Sequence, residues 1–399
     1  MKKNIYFLFL ITLISCSNQQ VQKDLPMNGD YYTINLDAEK EKTIHFSSYF
    51  KGVRTIILET SDDCLIGNID EIQVYDEYIY ILDSKKAKSM FVFDLEGKFI
   101  RKIGKVGNGA SEYIQVYDFT LDMLNNNIFL LDQGNRVHKY KFDGTYLHTI
   151  TIPGDDFNIS FIQFYNGRLF AAYMEWETSK DDYLILEIDP ENEKILSRSL
   201  SIKYNKGWNE SYFLKYGKFF LTPTHNPPRY NQMFMDYIVS LNGEIKPFIK
   251  LKSRYLITEK DIGDFRGKDG LRINLENISK SSKSYGVHCF IENENFIYFR
   301  LGGRAMFAVI LDKKTKEVKL VDHLYNDLIF NNNPLVFIGQ FAFSDLKGAY
   351  EIWDTQSSAL SGFQHSLNNN DIVSDLDKLD QLLLIDAESN PVIFFYEFK

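Results

Sequence analysis

Apolar residues along this chain gather in short runs that tend to alternate with polar ones, and the longer 3.6-residue spacing of helices is nearly absent. Phe and Tyr are abundant, at 32 and 25 of 399 residues, and both suit the pleated, half-buried surface of a sheet. The pattern predicts an all-β chain. Its period is legible as well. In "YIYILDSKKAKSMFVFDLEGKFI", residues 78–100, one strand ends at Asp83 and the next at Asp94, with Gly97 close behind. In "NIFLLDQGNRVHKYKFDGTYLHTI", residues 127–150, the counterparts are Asp132, Asp143 and Gly144, so both aspartates recur 49 residues on.

Weaker copies end at Asp189, Asn242 and Asp312, and a further unit starts near residues 335–354. Each reads as four short antiparallel strands joined by Asp/Asn-Gly turns, and a four-stranded repeat of roughly 40 to 50 residues is a propeller blade. The length accommodates a six-bladed β-propeller. Its last blade is incomplete by itself. After residue 354, "SDLDKLDQLLLID" predicts a short helix with Ser374 as N-cap and Leu376, Leu379 and Leu383 on one face. The chain then ends in a strand, "NPVIFFYEF". The missing partner is "VRTIILE", residues 53–59, so the N- and C-terminal strands pair to close the ring and leave no open sheet edge between first and last blades.

The start of the chain has a different character. Lys2 and Lys3 precede an apolar run from Ile5 to Ile14, shorter than the roughly 20 residues a bilayer crossing needs, so it reads as an export signal. "LISC" resembles the bacterial lipoprotein signal, with Cys16 as the lipidated residue. The expected organisation is a signal peptide over 1–16, a flexible tether over 17–33 and the propeller over 34–399, with the membrane met by the lipid anchor only. Ser17 after the cysteine favours the outer membrane, and "SNQQ" lacks the acidic signal of surface display, which points to the periplasmic side. A net charge of −9 without a Lys/Arg-rich run argues against nucleic acid. Beyond Cys16 there are only Cys64 and Cys289; assigned to separate repeats, they are expected as two buried free thiols.

"IGKVGNGASEY", residues 103–113, has the look of a phosphate cradle, but such a loop leads from a strand into a helix whose N-terminus holds the anion. Here "IQVYDFTLD" follows, which reads as a strand. The glycines are therefore expected to permit a tight crossing between blades. Strands that run up and down gather these crossings on one face with the loops joining second to third strands. The loops assigned to that face, "DSKKAKS", "DQGNRVH", "MEWETSKDD", "LTPTHNPPRYNQ" and "RLGGRA", lean basic apart from the acidic third, which carries Glu175, Glu177, Asp181 and Asp182. Lys85, Lys86, Tyr230 and Arg300 belong to this set. The candidate ligand-binding residues are Glu112, Tyr113, Arg136, His138, Trp176, His225, Arg229 and Arg304, and the expected ligand is polar or anionic, such as an acidic glycan or peptide carboxylate, or an envelope protein.

No catalytic residues, metal ligands or cofactor are assigned. The 7 histidines lack zinc spacing and cysteine company, acidic doublets such as Asp62-Asp63 lack the calcium-loop pattern, and no Gly-x-Ser-x-Gly elbow occurs. Propellers also host glycosidases, whose paired carboxylates sequence alone does not single out.

The lipoprotein start, "VRTIILET", "IGNIDEIQVYDEYIYILD", "FDLEGKFIRKIGKVGNGASEYIQVYDFTLD" and "LLLIDAESNPVIFFYEFK" together resemble the six-bladed propeller lipoproteins of Bacteroidetes, themselves similar to NHL-repeat propellers. Many relatives have proline where this chain has Ala110. The resemblance covers residues 34–399 and implies fold and location more than activity. The resulting expectation is a non-enzymatic binding or protein-interaction module held at the cell envelope, with a carbohydrate-active hydrolase or lyase as the alternative.

Overall fold

The computed structural model describes residues 21–23, 30–153, 159–173, 183–201, 220–221, 227–232, 235–257, 261, 278, 280–303, 308–331, 341–355, 362–366, 369, 371–373 and 375–399. Its first strands, β1 (Val21–Lys23), β2 (Tyr32–Asn35), β3 (Lys40–His45) and β4 (Phe50–Ile57), each join one of six sheets formed by the rest of the chain. Blade 1 is β5 (Glu71–Tyr75), β6 (Tyr78–Asp83), β7 (Ser89–Asp94) and β8 (Phe99–Ile103). Blade 2 is β9 (Val116–Asp122), β10 (Asn127–Asp132), β11 (Arg136–Lys141) and β12 (Tyr146–Thr151). Blade 3 is β13 (Ile159–Tyr165), β14 (Arg168–Tyr173), β15 (Tyr183–Asp189) and β16 (Lys194–Ser201). Blade 4 holds β17 (Arg229–Tyr230), β18 (Tyr237–Asn242) and β19 (Glu244–Lys252), with Phe220 bridged to Tyr230 on its inner side. Blade 5 is β20 (Ser284–Glu292), β21 (Phe296–Gly303), β22 (Ala308–Asp312) and β23 (Val318–Tyr325). Blade 6 is β24 (Phe341–Ser344), β25 (Gly348–Trp353), β26 (Val392–Phe398) and β4. The first strands of neighbouring blades face one another around the axis, β20 by β24, β24 by β5, β5 by β9 and β9 by β13.

The six-bladed propeller and its closure follow the reading of the sequence. β4 pairs antiparallel with β26 from Val392↔Ile57 to Phe398↔Phe50, and Phe50 packs against Phe341, Tyr396 and Phe398 with ring centroids 5.5–5.7 Å apart. That interlock buries the aromatic content of both chain ends in one cluster, and edge-to-face or offset aromatic pairs add to the gain from burial. What the sequence reading lacked is a strap. Before closing the ring, the N-terminal segment passes outside blades 3, 4 and 5 and adds a parallel strand to each: β1 on β16, β2 on β19 and β3 on β23. β1 and the start of β2 lie within the stretch read as a tether. These strands are short and mostly polar, with Ile34 and Ile44 supplying the buried contacts, so no apolar run announced them.

The C-terminal helix is one turn, Leu379–Leu382, entered from Lys378 in a left-handed conformation (φ 56°) with no side-chain cap. Ser374 lies outside the described residues. Leu376 and Leu382 are buried and Leu379 half-buried, whereas Leu383 points outward. The left-handed Lys378 separates Leu376 from the helical turn, so the leucines do not share one continuous helical face, and Leu382 rather than Leu383 meets the core.

Cys64 and Cys289 are both free, Cys64 buried as expected and Cys289 only partly so. Burial pushes the Cys289 thiol up to about 12.

Candidate functional site

Antiparallel strands within each blade give the ring two unlike ends. The blade-to-blade crossings and the loops joining second to third strands share the loop-rich end; first-to-second and third-to-fourth connections form the short-turn end. At the loop-rich end, the two aspartates of the repeat act alike. Asp83, at the end of β6, accepts hydrogen bonds from the N–H groups of Gly67 (2.8 Å) and Asn68 (3.0 Å) in the incoming crossing, and of Lys85 (3.2 Å) and Lys86 (2.8 Å) in its own loop. Asp132, at the end of β10, accepts from Ile114 (3.0 Å) and Gln115 (2.8 Å) of the next crossing. Both carboxylates are fully buried, which is tolerable only because each is surrounded by donors. The other pair, Asp94 and Asp143, cap turns through Oδ1, with Lys98 N–H donating at 2.8 Å and Thr145 N–H at 2.8 Å.

Asp132 also anchors side chains. Its Oδ2 lies 2.5 Å from Arg136 Nη2 and 3.1 Å from His138 Nε2, while His138 Nδ1 is 2.8 Å from Thr149 Oγ1, itself 2.9 Å from the Tyr146 hydroxyl. Burial alone would raise the Asp132 carboxyl; the hydrogen bonds from His138 and from the Gln115 and Gln133 amides, with the Arg136 charge, hold it below its ordinary value.

The glycine loop answers the question its sequence posed. β9 follows it and no helix does. Three of its donors are taken: Gly107 N–H donates to Tyr113 O (3.0 Å), Tyr113 N–H to Lys105 O (3.1 Å), and Gly109 N–H to Glu112 Oε2 (2.8 Å). Glu112, paired with Lys105 at 2.8 Å, is the anion that a phosphate would otherwise be. A Cβ on Gly107 would sit 2.0 Å from Glu112 Oε2, and one on Gly104 (φ +65°) would sit 2.6 Å from the Tyr140 hydroxyl. The glycines make room for the loop's own side chains. Replacing Glu112 by Ala is expected to speed amide exchange at Gly109 while the global melting temperature holds; hydrogen exchange resolved by residue checks this, since a loop held by other contacts would keep its protection.

Of the eight candidate residues, Glu112 and Arg136 stand at the loop-rich rim. Tyr113 and His138 lie beneath it, buried, so they support the loops and do not present themselves to a ligand. Trp176, His225, Arg304, Cys16 and the acidic residues of the third loop lie outside the described residues. Arg229 is at the other end of the ring. Leu221 N–H donates to Arg229 O (2.8 Å) and Phe220 bridges Tyr230 antiparallel, so Arg229 opens the second strand of blade 4, facing the first, and does not sit between the second and third. A run of apolar residues looks the same whichever strand it forms, and the long segment before Phe220 shifted the count by one. Arg229 is buried there, its Nε 2.8 Å from Glu292 Oε2 and its Nη2 3.0 Å from Oε1, with Lys313 Nζ 3.2 Å from Oε1 and the guanidinium 3.6 Å over the Phe248 ring. Tyr230 is likewise buried, and Arg300 lies within β21.

The short-turn end of blade 6 carries a cleft of about 830 Å³ that the sequence did not announce, because its walls come from turns of only two or three residues in blades 1, 5 and 6.

Ring and strap together define a closed six-bladed β-propeller. Residues 31–397 match the family described as Domain of unknown function (DUF4934), and the chain belongs to it. Among solved structures, a Bacteroides fragilis protein described as exported is similar over 95% of this chain and 100% of its own, with 18% identity and a TM-score of 0.65. A DUF4221 family member from Bacteroides vulgatus is similar over 87% of this chain and 98% of its own, with 11% identity and a TM-score of 0.50. No curated protein matches.

Proposed function

We propose that this chain is an exported, lipid-anchored binding module of the bacterial cell envelope, attached through Cys16 to the outer membrane on its periplasmic side and presenting its loop-rich end to a polar or anionic ligand or an envelope protein. The observation that carries the reading is a division of labour at that end. Buried Asp83 and Asp132 immobilise the crossings and loops of blades 1 and 2, and the side chains those loops display are the exposed cations Lys85, Lys86 and Lys105 and the half-exposed Arg136. A fixed backbone whose charged tips are themselves held by ion pairs, Lys85 to Asp70 at 3.1 Å, Lys105 to Glu112 at 2.8 Å and Arg136 to Asp132 at 2.5 Å, lowers the ordering cost of recognition. The similarity to an exported Bacteroides protein supports the envelope location.

The test is affinity isolation of the tagged full-length protein from its native envelope, compared with the Lys85→Ala, Lys105→Ala, Arg136→Ala triple variant. Wild type retains a glycan or protein that the variant loses; equal retention by both overturns the reading. Cys16→Ala in the same strain separates anchor from recognition, since it is expected to release the protein from the membrane fraction without altering what the protein binds.

A further inference from the structure

The cleft at the short-turn end of blade 6 is built on ordered strands and is independent of the loop-rich end. Its floor is β4 and β26, and its sides are the first turns of blades 5 and 1. Its volume, about 830 Å³, falls within the range of small-molecule sites, roughly 300 to 1,000 Å³.

Two of its acids are already engaged: Glu397 of β26 pairs with Lys51 at 2.8 Å, and Asp345 accepts from Lys347 N–H (2.7 Å), Gly348 N–H (2.8 Å) and the Tyr350 hydroxyl (3.0 Å); the remaining charges are sorted. The remaining charges that blade 6 brings to the cleft are cationic and stand with an aromatic ring: Arg54 lies with its guanidinium carbon 5.4 Å from the Phe395 ring centre, and Lys347, in the β24–β25 turn against Phe398, is exposed and lines the same cleft. Arg54 is poorly employed by the protein itself. Its Nε is buried without a hydrogen-bond partner, and its one ion contact among the described residues is a long one, Nη1 to Glu96 at 3.8 Å. With Nε covered, the exposed part of the side chain, 39% accessible, offers its two Nη groups, and a guanidinium end backed by an aromatic face is an arrangement that receives a carboxylate. The sides are acidic: exposed Asp76 from the β5–β6 turn and Glu294 from the β20–β21 turn. Gly52, in the floor, has open space where a Cβ would stand, with nothing within 4 Å.

We propose that this cleft binds a small zwitterion of the peptide type, its carboxylate on Arg54 and Lys347, its ammonium towards Asp76 and Glu294, and its backbone over Gly52. A purely anionic sugar would satisfy the floor and be repelled by the sides. A purely cationic ligand would meet the opposite conflict.

Isothermal titration of the full chain with trialanine, its C-terminal amide, its N-acetyl derivative and digalacturonate tests this. Trialanine is expected to bind, with each capped form at least about tenfold weaker, the scale of one lost charge-assisted contact. Arg54→Gln is expected to weaken trialanine to the level of the amide. Gly52→Phe fills the open space from a strand position that favours aromatics and is expected to abolish binding with an unchanged thermal midpoint, so a folding defect is not mistaken for a lost site. Binding of digalacturonate in preference to trialanine, trialanine binding that survives Gly52→Phe, or no binding by any of the four overturns the proposal. The Lys85, Lys105, Arg136 variant is expected to bind trialanine as wild type does, which keeps this site's fate apart from that of the loop-rich end.

Discussion

Arg229→Leu is expected to destabilise the propeller by about 3 to 5 kcal/mol, the range for removing one partner of a buried ion pair. Glu292 is almost fully buried and receives two hydrogen bonds from the Arg229 guanidinium; without them only Lys313, at 3.2 Å, remains as a charge partner among the described residues. Denaturant titration reads the loss as a lower midpoint at unchanged slope. The double variant Arg229→Leu, Glu292→Leu is expected to recover much of it, since the cost lies in the orphaned carboxylate. A double variant no more stable than the single one would show that the aromatic contact with Phe248 was the larger contribution.

The pH dependence has a defined sign. Burial by itself would raise the Glu292 carboxyl, but the hydrogen bonds and charge of Arg229 and the charge of Lys313 outweigh it, so the folded value is lowered. Its contribution to stability is therefore present above the unfolded value, about 4.3, and lost as pH falls through the folded one. In Arg229→Leu the main opposing charge is gone, so the gap between wild type and variant is expected to narrow on acidification. His288 adds an acid-labile contribution of its own. Burial, with the Arg300 charge, pushes it down to about 4, and the unfolded chain takes up its proton near 6.5. That contribution is present above about 6.5 and falls away towards 4 in both proteins.

Asn390→Ala is expected to cost about 3 kcal/mol or more, on the basis of about 1 to 3 kcal/mol for each buried polar group left unpaired. This fully buried side chain joins the C-terminal strand to the segment entering blade 1. Its Oδ1 accepts from Ile66 N–H at 2.7 Å, and its Nδ2 donates to Glu59 O at 2.6 Å and Cys64 O at 2.9 Å. Three backbone groups lose an amide partner together, with Glu59 O retaining the Cys64 thiol at 3.1 Å. A thermal midpoint several degrees lower, with Ile66 among the amides that lose exchange protection, is the expected result. A midpoint within one degree of wild type would mean that the aromatic cluster around Phe50 and Tyr396 closes the ring without this residue.

Asp83 and Asp132 show why so much of the fold was legible. In blades 1 and 2 the second strand ends against the crossing that feeds the blade, where a buried acceptor is needed, and the same residue type recurs there at the same spacing. Closure was legible for a related reason: "VRTIILE" and "NPVIFFYEF" are apolar strands that no complete blade had a place for. The site was less legible. Tyr113 and His138 carry ligand-binding chemistry by type, yet neighbouring strands cover both, and burial depends on packing that local sequence does not encode. Arg229 changed ends of the molecule because strand order within blade 4 cannot be read from apolar runs.

Local pattern by itself determined the strand-forming character of this chain, its repeat, the number of blades and the two segments that close the ring, because alternation, turn residues and a fixed period are properties of neighbouring residues. Only the tertiary structure decided that a polar N-terminal strap runs along blades 3 to 5, that Glu112 fills the glycine loop, and that a charge-sorted cleft opens at the end with the shortest turns. Those features bring together residues hundreds of positions apart, such as Arg54 with Lys347 and Phe395. Their juxtaposition exists only once closure of the ring has set the blades side by side.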